Sequence, residues 1–345
     1  MRPKKISVNG DVYDALEAIC KPRDISVSEL VRRLTVFPNL AERLIDLGDS
    51  VTDQMKINAI MADKMLPILV DQLGENMSLI RHGKSPRDLP IKKDTPALVI
   101  GAGPSLQRTK QLELLVKKPF KGVIFVVDRA ISWCLESGLV PDYMVILDGS
   151  EKIFKYIDYP IVDEYSDRIT AIMCASTHPS VVNRWKGDIC WFSTAMDEVI
   201  LPNVSLLMGI LTNKPEVATA GHASSLAWSI AVMYPCNPIV LVGVDLSYPM
   251  DFPIDQTWYY SMYRAGVKSD DEVWQFYKKY HHNVFNTDCY YDMNMFAGYL
   301  KTSLEHIDVM HDAGIRVINC TEGGALEAEY LDCMKLEDYL NMEQK

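Results

Sequence analysis

The stretch Ala97-Leu98-Val99-Ile100-Gly101-Ala102-Gly103-Pro104-Ser105-Leu106 decides how we interpret the rest of the chain. Its four apolar residues follow one another without a polar break, which is typical of a strand buried on both faces of a sheet. A strand that turns through glycines into a helix directs backbone N–H groups and the positive end of the helix dipole at one point, which favours a phosphate. We therefore predict a nucleotide or diphosphate cradle here, with a simple strand-to-helix turn as the alternative.

Composition limits the class of protein. The 345 residues have room for one large α/β domain with a small one beside it. The hydrophobic content of 48% and charged content of 23% are typical of a soluble globular protein. No apolar run reaches the roughly 18 residues that cross a membrane, and no secretion signal is evident. We therefore expect no membrane partner.

The cysteines and the net charge limit the redox environment and the partners that we expect. The 8 cysteines occur singly, with no Cys-x-x-Cys pair, which favours reduced thiols over disulfides or a zinc site and predicts a cytoplasmic location. The net charge of −11 argues against non-specific nucleic-acid binding by the whole chain.

Shifts in pattern divide the chain into four predicted segments. Residues 1–35 are a strand-helix-turn-helix unit, and residues 36–90 are a helical connector. Residues 91–330 alternate strands and helices, which predicts an α/β, Rossmann-like, mostly parallel sheet with helices on both faces. Residues 331–345 are a C-terminal helix or tail. The predicted strands are 97–100, 122–127, 143–147, 169–174, 189–192, 238–243 and 315–319, and the main helices are 105–117, 129–137, 222–233 and 292–312.

The first segment resembles the ribbon-helix-helix module of small dimeric DNA-binding proteins. The resemblance lies in residues 5–8, 12–16 and 25–30. In that family two copies pair their strands, and outward strand residues, here Lys5, Ser7 and Asn9, can contact the major groove. Because so short a unit cannot bury a core alone, we predict that it makes the protein a homodimer or higher oligomer. A DNA-binding regulator and an unrelated helical cap are the alternatives.

Polar residues follow several predicted strands, at the sheet edge where open α/β folds bind ligands. Backbone amides and hydroxyls suit phosphate, whereas carboxylates suit ribose hydroxyls or Mg²⁺, although a single acid at such a place is also a common helix cap. Because five such sites converge on one edge, we predict a nucleotide site. Its residues are Gly101, Gly103, Pro104, Ser105, Asp128, Thr219, Gly221, His222, Ser224, Thr321, Glu322 and Gly323.

Of two common phosphate-binding loops, the dinucleotide fingerprint is disfavoured at this turn and the Walker loop is excluded. The third glycine of the dinucleotide fingerprint is absent, because Leu106 stands in its place. No Gly-Lys-Ser/Thr follows, so the turn is not a Walker loop.

Several stretches together resemble the 6-hydroxymethylpterin diphosphokinase MptE-like domain family. They are residues 99–106, 128–130, 138–142 and 147–148, and the resemblance spans about residues 75–330. That family includes archaeal pterin enzymes and the motility accessory factors that glycosylate bacterial flagellin. The stretches 219–222, 242–246 and 319–325 are more similar to the motility-factor branch. The glycine turn and residues 219–245 are also similar to bacterial sialyltransferases that use a CMP-sugar.

The resemblance implies group transfer from a nucleotide donor to a small-molecule or glycan acceptor. In a diphosphokinase, ATP would give diphosphate, with Mg²⁺ on Asp148 and Asp128. In a CMP-type glycosyltransferase, an activated acidic sugar would place its phosphate on the glycine turn. The long segment 247–291 is then a lid, and its pair His281 and His282 falls where the sialyltransferases have a base. The resulting catalytic candidates are Asp148, Asp245 and His282, and a nucleotide-binding module without catalysis is a further alternative.

Overall fold

The computed structural model describes residues 53–194, 208–209, 211–267 and 269–342. The predicted unit at residues 1–35 lies outside them, and so do the residues on which the oligomer and DNA predictions depend. The strands are β1 (Ala97–Ile100), β2 (Val123–Val127), β3 (Tyr143–Ile146), β4 (Thr170–Cys174), β5 (Ile189–Thr194), β6 (Glu216–Val217), β7 (Ile239–Val242), β8 (Tyr248–Pro249), β9 (Tyr277–His282), β10 (Thr287–Asp292), β11 (Val317–Asn319) and β12 (Asp332–Cys333).

The helices are numbered in the same way. They are α1 (Asp53–His82), α2 (Ser105–Arg108), α3 (Gln111–Lys117), α4 (Ile131–Ser137), α5 (Phe154–Ile157), α6 (Pro160–Tyr165), α7 (Pro179–Arg184), α8 (Ala223–Met233), α9 (Tyr260–Arg264), α10 (Asp270–Val273), α11 (Met295–Asp312) and α12 (Leu336–Met342). Short 3₁₀ turns occur at Pro86–Asp88, Asp128–Ala130, Glu151–Ile153, Ser166–Arg168, Ile254–Gln256 and Trp274–Phe276. None of the helices in these ranges is both long and apolar enough to cross a membrane.

One 9-stranded sheet, in the order β12-β11-β7-β1-β2-β3-β4-β5-β6, forms the centre of the molecule. Every pair of neighbouring strands is parallel. Strands β1, β2, β3 and β7 are buried at every position, so both faces of the sheet are covered. The predicted Rossmann-like α/β fold is confirmed.

The strand order reverses between β1 and β7. From β1 the chain adds strands outward on one side, and it then returns to place β7 on the other side. Ile100 of β1 is the register partner of both Val126 of β2 and Val242 of β7. Such a reversal opens a crevice outside the carboxyl ends of the two strands. In this protein the turn after β1, which includes Gly101 and Gly103, borders that crevice.

The structure corrects the predicted helix over 105–117. This segment forms two short helices, α2 and α3, separated at Lys110, whose φ of 54° is in the left-handed region. The break directs Gln111 inward, where its fully buried Nε2 donates to the carbonyl of Cys320, 2.6 Å away. The helical period of the sequence does not reveal such a break, because the break depends on the hydrogen bond between Gln111 and Cys320, which follows β11.

The segment predicted as an irregular lid has a folded structure of its own. It forms a 3-stranded antiparallel sheet in the order β8-β10-β9, accompanied by α9 and α10, and we call it the insertion (residues 247–292). Tyr263, Val273, Tyr277 and Tyr290 form its separate hydrophobic core. The insertion is therefore a packed unit placed between β7 and α11.

The predicted connector contributes α1, which packs beside the same edge of the sheet. Gln72 donates to the carbonyl of Gly149 (3.0 Å), and Asn76 donates to the carbonyl of Thr177 (2.7 Å). These buried amides tie α1 to the loops that follow β3 and β4.

Candidate functional site

The glycine turn is packed against the end of β7. The N–H of Gly103 donates to the Gly243 carbonyl at 2.8 Å, and the N–H and Oγ of Ser105 donate to Asp245 at 3.2 and 2.7 Å. A Cβ on Gly103 would lie only 1.9 Å from Oδ2 of Asp245. The glycine is therefore required for close approach of the two turns. Three N–H groups of the predicted phosphate cradle, those of Gly101, Gly103 and Ser105, have protein acceptors.

Asp245 connects three strand ends. Its side chain is bonded to the β1 turn through Ser105, and its backbone carbonyl accepts from the N–H of Ala325 after β11 at 2.8 Å. Burial raises the pKa of Asp245 to about 7, and the hydrogen bonds from Ser105 oppose this rise. These contacts give Asp245 a positioning function, and its catalytic role stays a prediction.

A cavity of ≈ 350 Å³ lies between the β1 turn and the insertion. Arg108 reaches across from α2 and forms a two-pronged ion pair with Asp251, with Nη–Oδ distances of 2.9 and 3.0 Å. Both side chains are largely exposed, so the pair contributes little to stability, about 0–1 kcal/mol. The predicted residues that line the cavity are Pro104, Ser105, Asp245, Glu322 and Gly323, and the insertion adds Pro249, Met250, Asp251, Thr287, Asp288 and Cys289.

Asp128 and Asp148 form a second group, at the ends of β2 and β3. Asp128 is buried and its Oδ1 accepts from the N–H of Arg129 at 2.7 Å, whereas Asp148 is exposed. Burial raises the pKa of Asp128 to about 7, and the negative charge of Asp148 adds to the rise. Two neighbouring carboxylates with this mutual repulsion fit a divalent cation, which would relieve it.

Within the described ranges, no further protein ligand accompanies Asp128 and Asp148 in the predicted magnesium site. No group of three or more His, Cys, Asp or Glu side chains there is arranged to hold a metal ion. Mg²⁺ commonly binds one or two carboxylates and completes its shell with water and substrate phosphate. The magnesium site on Asp128 and Asp148 therefore stays a prediction.

Replacing Asp128 by Asn is expected to flatten the pH dependence of stability. Between its usual pKa near 4 and about 7, folded Asp128 holds a proton that the unfolded chain has released. This group therefore lowers the free energy of unfolding as pH rises through that window, by roughly 1.4 kcal/mol at most per unit of pKa shift. Thermal unfolding at pH 5 and pH 8 should show a smaller loss of Tm in Asp128→Asn than in wild type.

The exposed Asp148→Asn is the control for this experiment, and it should retain most of the wild-type pH dependence. Because burial raises the pKa of Asp245 as well, part of the dependence should remain in Asp128→Asn. Equal slopes in wild type and Asp128→Asn would contradict the assignment.

The first turn of α8 lies beside the β1 turn. Oγ of Ser224 is 3.0 Å from the position that a Cβ on Gly101 would occupy. His222 caps this helix, because its Nδ1 accepts from the N–H of Ser225 at 3.3 Å, and its Nε2 lies 2.9 Å from Oγ of Ser303. Burial lowers the pKa of His222 to about 3, with a smaller contribution from His306. His222 is therefore neutral at physiological pH, and its nucleotide-binding role stays a prediction.

The remaining predicted nucleotide-binding residues differ in access. Thr219 accepts from the N–H of Gly221, which packs closely against Tyr299. Thr321 is completely buried and accepts from the N–H of Val244. Glu322 and Gly323 line the cavity, whereas Thr321 does not, and the nucleotide-binding roles of all three stay predictions.

The two adjacent histidines of the insertion face opposite ways. His282 is 0% exposed, its ring lies 4.6 Å from that of Phe285, and it does not line the cavity. His281 is exposed, and its Nδ1 is 2.8 Å from Oδ1 of Asp288, which does line the cavity. His281 is therefore exposed and bonded to a residue that lines the cavity, although neither histidine lines the cavity itself. The catalytic role of His282 stays a prediction.

Sequence reasoning did not single out Arg108, Arg129, Asp251 or Asp288. The last two are brought together because Pro249 of β8 pairs with Cys289 of β10. No local pattern indicates that pairing. Arg129 had a signal that could have been used, since it directly follows Asp128 at the end of β2.

Comparison with known proteins identifies relatives of this fold. The family model for 6-hydroxymethylpterin diphosphokinase MptE-like proteins matches residues 71–251, slightly more than half of the chain. No curated protein matches the sequence. The solved structure of the MAf glycosyltransferase from Magnetospirillum magneticum AMB-1 is similar, with a TM-score of 0.54 and 16% identity. The match covers 81% of this chain but 41% of that protein, and at this identity it shows a shared fold.

Proposed function

Because the chain belongs to the 6-hydroxymethylpterin diphosphokinase MptE-like family, we propose that it transfers a group from a nucleotide-activated donor to an acceptor hydroxyl. The observation that supports this proposal is the position of the glycine turn, Asp128 and Asp245. All three lie at the carboxyl edge of a parallel sheet, beside the point where the strand order reverses. Open α/β sheets bind nucleotides at such points. The neighbouring cavity of ≈ 350 Å³ has the size of a small-molecule site.

The donor phosphate has a suitable environment between the β1 turn and α8. The 11-residue helix α8 begins next to Gly101, and the positive end of its dipole favours negative charge. We place the phosphate at this helix start, because Gly103 and Ser105 already donate to protein acceptors. Asp128 and Asp148 would hold Mg²⁺, which supplies positive charge to the leaving phosphate when bound.

Glycosyl transfer is our first candidate for the reaction, and diphosphoryl transfer is the second. The activity named for the fold relative supports the first, and the family description supports the second. In both reactions an acceptor hydroxyl attacks the donor and must lose its proton. His281 is our candidate to accept that proton, because its ring is exposed and is oriented by Asp288, which lines the cavity.

A nucleotide panel tests the proposal directly. The Tm of the full-length protein is measured with CMP, CDP, UDP, ADP and ATP, each with and without Mg²⁺. A rise with a pyrimidine nucleotide but not with ATP supports glycosyl transfer, and the reverse pattern supports diphosphoryl transfer. The proposal fails if no nucleotide changes the Tm at concentrations up to several millimolar.

His281→Gln is expected to slow turnover by about 10²- to 10³-fold with little change in Tm, because His281 is exposed and acts on a proton. The measurement is release of free nucleotide from the donor class that the panel identifies. His282→Gln is the matched control, since the neighbouring buried ring should lower the Tm when replaced. Wild-type turnover in His281→Gln would show that the proton acceptor lies elsewhere.

A further inference from the structure

Arg129 has an environment that the proposed function does not explain. Its guanidinium carbon lies 5.6 Å from the ring centroid of Trp258 and 5.9 Å from that of Tyr156. Tyr156 comes from α5 and Trp258 from the insertion, so two separate segments place aromatic rings around one cation. We propose that Arg129, held beside both rings, binds an oxyanion of the ligand, either a phosphate or a carboxylate. The inference rests on the proposed function, which places the ligand at this sheet edge.

The guanidinium of Arg129 is available for a ligand. Within the part of the chain that the structure describes, it forms no ion pair and donates no hydrogen bond. By contrast, Arg108, Arg184 and Arg316 each pair with a carboxylate at 2.9 Å or less. Contacts with aromatic rings stabilise the positive charge and provide no oxygen acceptor for its N–H groups, which can therefore donate to a ligand. Arg129 therefore presents a two-pronged donor whose position is partly fixed in advance.

Trp258 is held so that its indole stays in solvent. Trp258 is 53% exposed, and its backbone N–H donates to the hydroxyl of Tyr248 at 3.0 Å. The Tyr248 ring stacks on Phe252 and Phe296, with centroids 5.3 Å apart in each case. An exposed aromatic ring on a rigid base is suited to stack on the apolar face of a base or sugar. The ligand class is thus an apolar ring that carries an oxyanion.

Arg129 lies close to the proposed donor site. Val126 of β2 is the register partner of Ile100 of β1, and neighbouring strands are about 4.8 Å apart. The turn after β2, which includes Arg129, therefore starts one strand spacing from the glycine turn. Nζ of Lys155 is also 4.9 Å from the Tyr156 ring, and it adds positive charge.

Trp258 provides a direct probe, because the sequence has 6 tryptophans and Trp258→Phe identifies its share of the fluorescence. The full-length protein is titrated with CMP, inorganic pyrophosphate and N-acetylneuraminate, and affinities are confirmed by calorimetry. We expect the Trp258 signal to change on binding. Arg129→Gln should weaken the binding of the recognised oxyanion at least tenfold, and Arg129→Lys should weaken it less, because it keeps the charge but not the fork.

Cytidine is the matched control ligand, because it lacks the phosphate of CMP. A merely structural role of Arg129 would lower the affinity for cytidine and CMP together and would contradict the proposal. Selective loss of CMP and pyrophosphate identifies a donor phosphate, and selective loss of N-acetylneuraminate identifies a sugar carboxylate.

Equal affinities of Arg129→Gln and wild type, or no binding of any of the three anions by wild type, would overturn the proposal. The Tm measurements with the nucleotide panel test the proposed function independently of Arg129. If nucleotides raise the Tm of wild type and Arg129→Gln equally, the proposed function stands and this inference fails.

Discussion

Replacing Gly103 by Ala is expected to abolish nucleotide binding and to destabilise the protein by about 2–4 kcal/mol. The new methyl group would lie 1.9 Å from Oδ2 of Asp245 and 2.7 Å from the carbonyl oxygen of Gly243. The second atom belongs to the backbone, so a change of side-chain rotamer cannot relieve the overlap. Either the β1 turn moves away from β7, or Asp245 loses its bonds to Ser105. Both changes disturb the crevice that we assign to the donor.

Gly298→Ala is the matched control for this substitution. Gly298 lies in α11, and no atom would be within 4 Å of its added Cβ. This change should be neutral or stabilise the helix by about 0.5–1 kcal/mol. The measurements are Tm and the affinity for the nucleotide that the panel identifies.

A double-mutant cycle with Asp245→Ala locates the source of the Gly103→Ala effect. Because Asp245→Ala removes one of the two clashing groups, the added methyl should cost less in that background. Equal costs in both backgrounds, or wild-type binding by Gly103→Ala, would contradict our account of the turn.

Replacing Asp292 by Ala is expected to detach the insertion and lower the free energy of unfolding by about 2–4 kcal/mol. Asp292 is 1% exposed, and its Oδ1 accepts from the hydroxyl of Tyr263 at 2.9 Å and from the N–H of Met295 at 2.7 Å. One carboxylate thus joins the core of the insertion to the first turn of α11. Without it, a buried hydroxyl and the N–H groups of a helix start lose their acceptor.

Limited proteolysis and thermal unfolding measure this effect, with faster cleavage expected between residues 248 and 292. Asp292→Asn should be intermediate, because its amide oxygen can still accept some of these bonds. Asp288→Ala is the control on the same strand. Asp288 is exposed, so its removal should change the Tm little. Unchanged proteolysis of Asp292→Ala would show that other contacts hold the insertion.

The central sheet could be predicted because its strands are buried on both faces and therefore form apolar runs between turn residues. Strands β6 and β12 were missed, since each has only 2 residues and shows no period. The insertion was missed for another reason. Its strands lie in a small sheet where β9 alternates irregularly between buried and exposed positions, so the pattern of the sequence is weak.

The site was predicted less completely than the fold. The alternation of a strand indicates that His281 and His282 face opposite sides, but it does not indicate which side is covered. The cover includes Glu327, whose carboxylate lies 3.6 Å from His282 and accepts from the Val284 N–H of the same turn. The glycine turn poses the same problem, because Asp245, which contacts it, lies 140 residues after Ser105.

The pairing of β8 with β10 has a consequence for protein engineering. Tyr248 pairs with Tyr290 and Pro249 with Cys289, so the chain enters and leaves the insertion through adjacent antiparallel strands. The two ends are about 5 Å apart, and a short linker could join them at little entropic cost. The insertion is therefore suited to exchange as a cassette. A graft that keeps Asp292 would leave the parallel sheet intact and would change the residues that the insertion contributes to the cavity.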